Sequence, residues 1–142
     1  MISQSAEYAL RAVVWLAGHP DAVLSTPEIA RRTKVPAGYL SKMLQALARG
    51  GLVVSTPGRT GGFVLTRPPR RISILEVINA VGPLQRIEHC PLGVEVHGRD
   101  LCPLHRRLDQ VAAYSEQVFA ETSIADLIQG SAPNVPLCAR VE

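Results

Sequence analysis

Residues 90 to 105, CPLGVEVHGRDLCPLH, hold two cysteines and two histidines, while the rest of the 142-residue chain has one further cysteine, Cys138, and two further histidines. Cys102 and His105 stand three apart, which places both on one face of a helix that starts at Cys102 with Pro103 as its first residue. A thiolate at a helix N-terminus has a lowered pKa, and that favours metal binding and redox reactivity alike. Cys90 would close the loop back onto the same atom or cluster, and Pro91 and Pro103, each following a cysteine, stiffen the backbone there. His89 and His97 are local competitors as ligands. Zinc accepts the same sulfur and nitrogen set without redox chemistry, and two buried cysteines beside surface histidines is the plain alternative. A Cys and His pair could also serve as nucleophile and base. No acid stands in an orienting position and no glycine-rich turn flanks either cysteine, so the chain does not read as a thiol enzyme.

The elements that must position this stretch follow from helix and turn signals. A first helix follows Ser3 or Ser5, carries Ala6, Ala9, Leu10, Val13, Val14 and Ala17 on one stripe, and stops at Gly18, His19 and Pro20. A second opens at Ser25, where Glu28 completes a capping box and Pro27 lies in the first turn, and ends near Thr33. Pro36 opens a third, with Leu40, Met43, Leu44 and Leu47 on its inner face and Gly50 and Gly51 at its end. The segments LVVS and FVLT, joined by a glycine-rich loop too long for a two-residue hairpin, form a strand pair with Arg59 at its tip. The fold class is mainly α: a winged helix-turn-helix with a two-stranded wing, followed by a long dimerisation helix. After the basic connector TRPPRR, Ser73 and Glu76 cap a fourth helix that stops at Gly82. From Pro103 a long helix lines up Leu104, Leu108, Val111, Ala112, Ser115, Val118 and Phe119, a stripe expected to meet a second copy of itself. The expected organisation is a DNA-binding domain over 1–82, a cysteine-containing sensor loop over 83–102, the dimerisation helix and one short helix over 103–129, and a tail over 130–142.

Charge follows the same division. Residues 1–71 hold ten Lys and Arg against three acids, and residues 72–142 hold five against nine. A basic half joined to an acidic half suggests a polyanion-binding module on a separate assembly or sensing module. No run of apolar residues is long enough for a membrane span, and the first segment is amphipathic with Glu7 and Arg11 inside it. An odd number of cysteines fits a disulfide framework poorly, so the expected compartment is the cytoplasm.

The stretches EYALRAVVWLA, PEIARRTKVPAGYLSKMLQALARGGLVVSTPGRTGGFVL, ISILEVINAV and LCPLHRRL, across about residues 1 to 128, together carry a family likeness. The chain resembles the bacterial winged-helix regulators that include the iron-sulfur cluster regulator IscR and the nitric-oxide sensor NsrR. That resemblance implies a homodimeric transcription factor, of a family made up mostly of repressors, acting on duplex DNA at an inverted-repeat operator. It implies that Gly38, Tyr39, Ser41 and Lys42 on the recognition helix, and Arg59 and Thr60 in the wing, face DNA. Lys34, Arg67, Arg70 and Arg71 would serve phosphates, which position a protein without reading sequence. It also implies an iron-sulfur cluster on Cys90, Cys102 and His105, with Glu7 of the partner subunit as a fourth ligand. Mixed thiolate, imidazole and carboxylate ligation suits a 2Fe-2S centre better than a 4Fe-4S one. Family loops often carry three cysteines. This one has two, separated by eleven residues, which leaves zinc, a cluster-free thiol switch or no cofactor as alternatives.

Overall fold

The structure is a computed structural model that describes residues 1–94 and 100–129. His97, Cys138 and the expected tail lie outside the described residues.

Helix α1 (Gln4–Gly18) is the centre of the molecule. Ser3 caps it by accepting from the Ala6 N–H at 3.1 Å, which satisfies one of the donors a helix start leaves unpaired. Every residue from Ala12 to Ala17 is buried, so α1 is covered on more than one side. The small residues Ala6, Ala9, Ala12 and Ala17 let its neighbours approach. Those neighbours are α2 (Thr26–Thr33), α3 (Ala37–Arg49), α4 (Ile74–Val81) and α6 (Ile124–Gln129).

The capping signals act as read. Ser25 and Ser73 each donate a backbone N–H to a carboxylate three residues on, Glu28 at 3.0 Å and Glu76 at 2.9 Å. The turn between α2 and α3 passes through Lys34 in the left-handed region, with φ 56°, a conformation that costs a residue with a Cβ about 1–2 kcal/mol. On α3, Leu40, Leu44 and Leu47 are wholly buried, and full burial of each stabilises by about 2 kcal/mol. Met43, expected on the inner face, is only half-buried, and Ala46 takes its place.

The wing is an antiparallel pair, β1 (Val53–Thr56) and β2 (Gly62–Leu65), with Val53 opposite Leu65 and Thr56 opposite Gly62. A two-stranded ribbon is marginal by itself, and here a third segment supports it. Leu24, between α1 and α2, bridges Phe63, whose N–H donates to the Leu24 carbonyl at 2.9 Å. Gly62 makes this approach possible, because a Cβ there would collide with the Leu24 carbonyl.

A 3-10 turn over Pro69–Arg71 leads into α4. Helix α5 (Pro103–Glu121) is the longest element, and none of its nineteen residues is buried. After it the chain returns to the core. Ser73 bridges Ser123, the Ile124 N–H donates to the Ile72 carbonyl at 2.8 Å, and Ile124 is completely buried. The core therefore also draws on the residues that follow α5.

Candidate nucleic-acid interface and metal centre

The first turn of α3 is bare. Pro36, Ala37, Gly38 and Tyr39 are all exposed, as are Lys34 before them and Lys42 one turn on, while Ser41 is half-buried. Helix N-terminal N–H groups and lysines without buried partners form a surface suited to polyanions. Tyr39 is only partly available to a ligand. Its hydroxyl lies 2.6 Å from Ser5 Oγ, and its ring meets Tyr8 edge-on at 5.2 Å between centroids. Ser5 and Tyr8, neither of them on the apolar stripe read from the sequence, thus brace the recognition helix against α1.

Arg59 and Thr60 stand exposed at the tip of the wing, and Arg70 and Arg71 are exposed in the 3-10 turn. Arg67 is already engaged. Its Nη2 donates to Glu76 Oε1 at 2.9 Å and its Nη1 to the Arg71 carbonyl at 3.1 Å. Partial burial opposes ionisation of Glu76, but the Ser73 N–H and the Arg67 guanidinium outweigh it and hold the carboxyl below its usual range. Arg67 thereby fixes the connector that carries Arg70 and Arg71.

Cys102 is the N-cap residue of α5, immediately before its first residue Pro103, and its Sγ lies 3.3 Å from His105 Nδ1. Both are half-buried, and so is Cys90, whose carbonyl accepts from the Gly93 N–H at 3.0 Å. His89 is exposed. Glu7 lies on α1, about half-exposed, in an ion pair with Arg11 at 3.1 Å. Arg11 also reaches the Thr33 carbonyl at 3.3 Å, at the end of α2. Among the described residues, no three of His, Cys, Asp and Glu converge closely enough within one chain to hold a metal ion. Cys102 and His105 come together; Cys90 and Glu7 are not gathered with them.

One contact near this site has no signal in the local sequence. Arg86 donates to both carboxylate oxygens of Asp109 on α5, at 2.8 and 2.9 Å, and the Ile87 N–H donates to the same carboxylate at 2.9 Å. These donors hold the Asp109 carboxyl down to about 2, the Arg86 hydrogen bond first and the Ile87 N–H second.

The profile of a family described as Rrf2, iron-dependent transcriptional regulator, matches residues 2–130. The chain belongs to the Rrf2 family. Among its Rrf2 relatives is the HTH-type transcriptional regulator IscR of Cereibacter sphaeroides, 29% identical, with 99% of this chain and 96% of that protein covered. The solved structure of CymR, the global cysteine regulator of B. subtilis, superposes with a TM-score of 0.73 at 28% identity, covering 89% of this chain and 95% of CymR. An IscR structure from T. potens superposes at 0.75 and 24% identity, covering 93% and 88%, and shows the shared fold. The chain is thus an Rrf2-family transcriptional regulator with the winged-helix fold of its structural neighbours, in a family of regulators rather than enzymes. No helix among the described residues is long and apolar enough to cross a membrane.

Proposed function

We propose that this Rrf2 protein is a homodimeric repressor that binds an inverted-repeat operator and is controlled by a 2Fe-2S cluster. The observation that carries the DNA-binding part is the bare first turn of α3, flanked by Lys34 and Lys42 and accompanied by an exposed arginine at the wing tip. Helix N-terminal residues read major-groove edges, and an arginine on a loop suits the narrow minor groove. Gly38, Tyr39, Ser41 and Lys42 are the proposed groove residues, with Arg59 and Thr60 in the wing. Lys34, Arg70 and Arg71 serve phosphates, and Arg67 acts with them by holding their connector in place.

Dimerisation rests on the exposed apolar stripe of α5. Leu104, Leu108, Val111 and Val118 are all at least 40% exposed, and Tyr114 joins them at 69%. The stripe is self-complementary. In an antiparallel pair with its two-fold axis at Val111, Leu104 faces Val118 of the partner subunit and Leu108 faces Tyr114 of the partner subunit, and Arg106 comes opposite the partner's Glu116.

Control by a cofactor rests on Cys102 and His105. Two ligands of one tetrahedral metal stand about 3.5 Å apart, and the Sγ to Nδ1 distance of 3.3 Å fits such an edge. Cys90 and Glu7 of the partner subunit would complete the set, in keeping with the iron dependence in the family description. A bound cluster would supply a one-electron redox centre, easily reduced because imidazole and carboxylate replace thiolates. The same pair also suits zinc. An anaerobic absorption spectrum with iron and sulfide assays decides between them, and Cys102→Ala should abolish the chromophore. For DNA, Arg71→Ala should weaken binding to all duplexes and flatten its salt dependence, and Arg59→Ala should in addition relax sequence discrimination. Salt-insensitive binding, equal in wild type and both variants, would overturn the regulator reading.

A further inference from the structure

The segment between α4 and Cys90 has no regular secondary structure, yet it is fastened to α5 through Arg86 and Ile87. There the Asp109 carboxylate accepts from Arg86 Nε, Arg86 Nη2 and the Ile87 N–H, and Arg86 Nη1 lies 3.7 Å from Glu116 Oε1 further along the same helix. The direction of the segment is also set. Leu84 and Gln85 line a hollow together with Leu108, Val111, Ala112 and Ser115, residues centred beyond Asp109 on α5, whereas the Ile87 backbone N–H meets Asp109. The chain therefore runs antiparallel to α5, toward the end that carries Cys102 and His105.

Distances along the two elements match. Asp109 lies seven residues beyond Cys102 on a helix that rises 1.5 Å per residue, so the axial separation is about 10 Å. From Ile87 to Cys90 are three residues, which span at most about 10 Å when extended. Fastening Ile87 at the level of Asp109 puts the Cys102–His105 pair at the limit of what Cys90 can reach. A register one helical turn further along α5 would leave Cys90 short of it.

We infer that Asp109, through its bonds to Arg86 and the Ile87 N–H, is the positioning residue that aims the Cys90 arm at the Cys102–His105 pair. This rests on the metal-centre reading only for its purpose, since the geometry concerns two thiols of the metal-free chain. Asp109 touches no ligand itself. It sets the register of the arm, and the bidentate guanidinium contact makes that register directional. Outer contacts that orient ligands in this way typically change metal affinity 10- to 100-fold when removed.

The test uses full-length reduced protein carrying Cys138→Ala, so that Cys90 and Cys102 are the only thiols. Cys90 is not seated at the pair in the structure, so bridging by dibromobimane reports how readily the arm brings it to Cys102 without any metal, and labelling by monobromobimane reports the reactivity of each thiol alone. Asp109→Ala should slow bridging at least tenfold while single-thiol labelling and helical content stay unchanged. Arg86→Gln alters the loop and leaves α5 intact, so it answers the question should Asp109→Ala fail to fold. Bridging as fast in the folded variant as in its parent, or no bridging in the parent, would overturn the inference. Titration with Co2+ separates the two readings. Tenfold or greater weakening in the variants, with loss of thiolate-to-cobalt absorption, supports both. A parent that bridges in a clamp-dependent way but binds neither Co2+ nor, on anaerobic reconstitution with iron and sulfide, a cluster leaves the positioning intact and removes the metal centre.

Discussion

Replacing Val111 with Glu tests whether α5 is the dimer helix, and its size can be worked out beforehand. Val111 is 63% exposed in the single chain. Complete burial of a valine contributes about 2 kcal/mol, so covering the exposed part in both copies contributes roughly 2.5 kcal/mol to association. Val111→Ala removes over half of that, and the dimer dissociation constant should rise about tenfold. Val111→Glu loses all of it and also places two carboxylates beside each other at the two-fold axis without partners. Burying each unpaired costs at least about 2 kcal/mol, for a total above roughly 5 kcal/mol and a dissociation constant raised more than about a thousandfold. Sedimentation velocity across a dilution series reads both values, with far-ultraviolet circular dichroism as the control for folding. Operator affinity should collapse in parallel, because two half-sites are no longer engaged by one particle. A folded Val111→Glu protein that stays dimeric at the wild-type concentration would refute the placement of the axis and with it the pairing of Leu104 with Val118.

Gly62→Ala should break the Leu24–Phe63 bridge, since the new methyl group meets the Leu24 carbonyl; operator affinity should fall at least tenfold while α-helical content holds, and unchanged affinity would show that the wing tolerates displacement. The Asp109 carboxyl should titrate near 2 rather than at its ordinary value of 3.8. A depressed carboxylate contributes stability that is fully present above 3.8 and is lost as pH falls through about 2. Carbon-13 titration of the Asp109 carboxyl checks this, with Arg86→Gln returning the midpoint toward 3.8. Ser73→Ala removes the acceptor for the Glu76 N–H at the start of α4 and should lower stability by about 1 kcal/mol, measured by urea denaturation; no change would mean that the Ser123 bridge alone holds this end.

Helix starts and stops were legible in the sequence because they are decided within four residues: Ser25 with Glu28, Ser73 with Glu76, Pro36 and Pro103 at helix openings, and glycines at 50 and 82. The wing was legible as two apolar runs about a glycine-rich loop and the α5 stripe as a helical period of apolar residues, and the Cys102–His105 pair by its spacing of three, which settles its geometry once the helix follows Cys102. The charge division between the two halves is a property of composition and needs no fold. Other contacts join residues far apart in the chain, and no local pattern encodes them. Ile124 returns to the core to meet Ile72, Leu24 braces the wing at Phe63, Tyr39 rests on Ser5, and Asp109 gathers Arg86 and Ile87. Each depends on the path the chain takes between the partners, and that path is settled by how the apolar faces of α2, α3, α4 and α6 close around α1. The local signals made the elements, and burial of α1 decided which of them would touch.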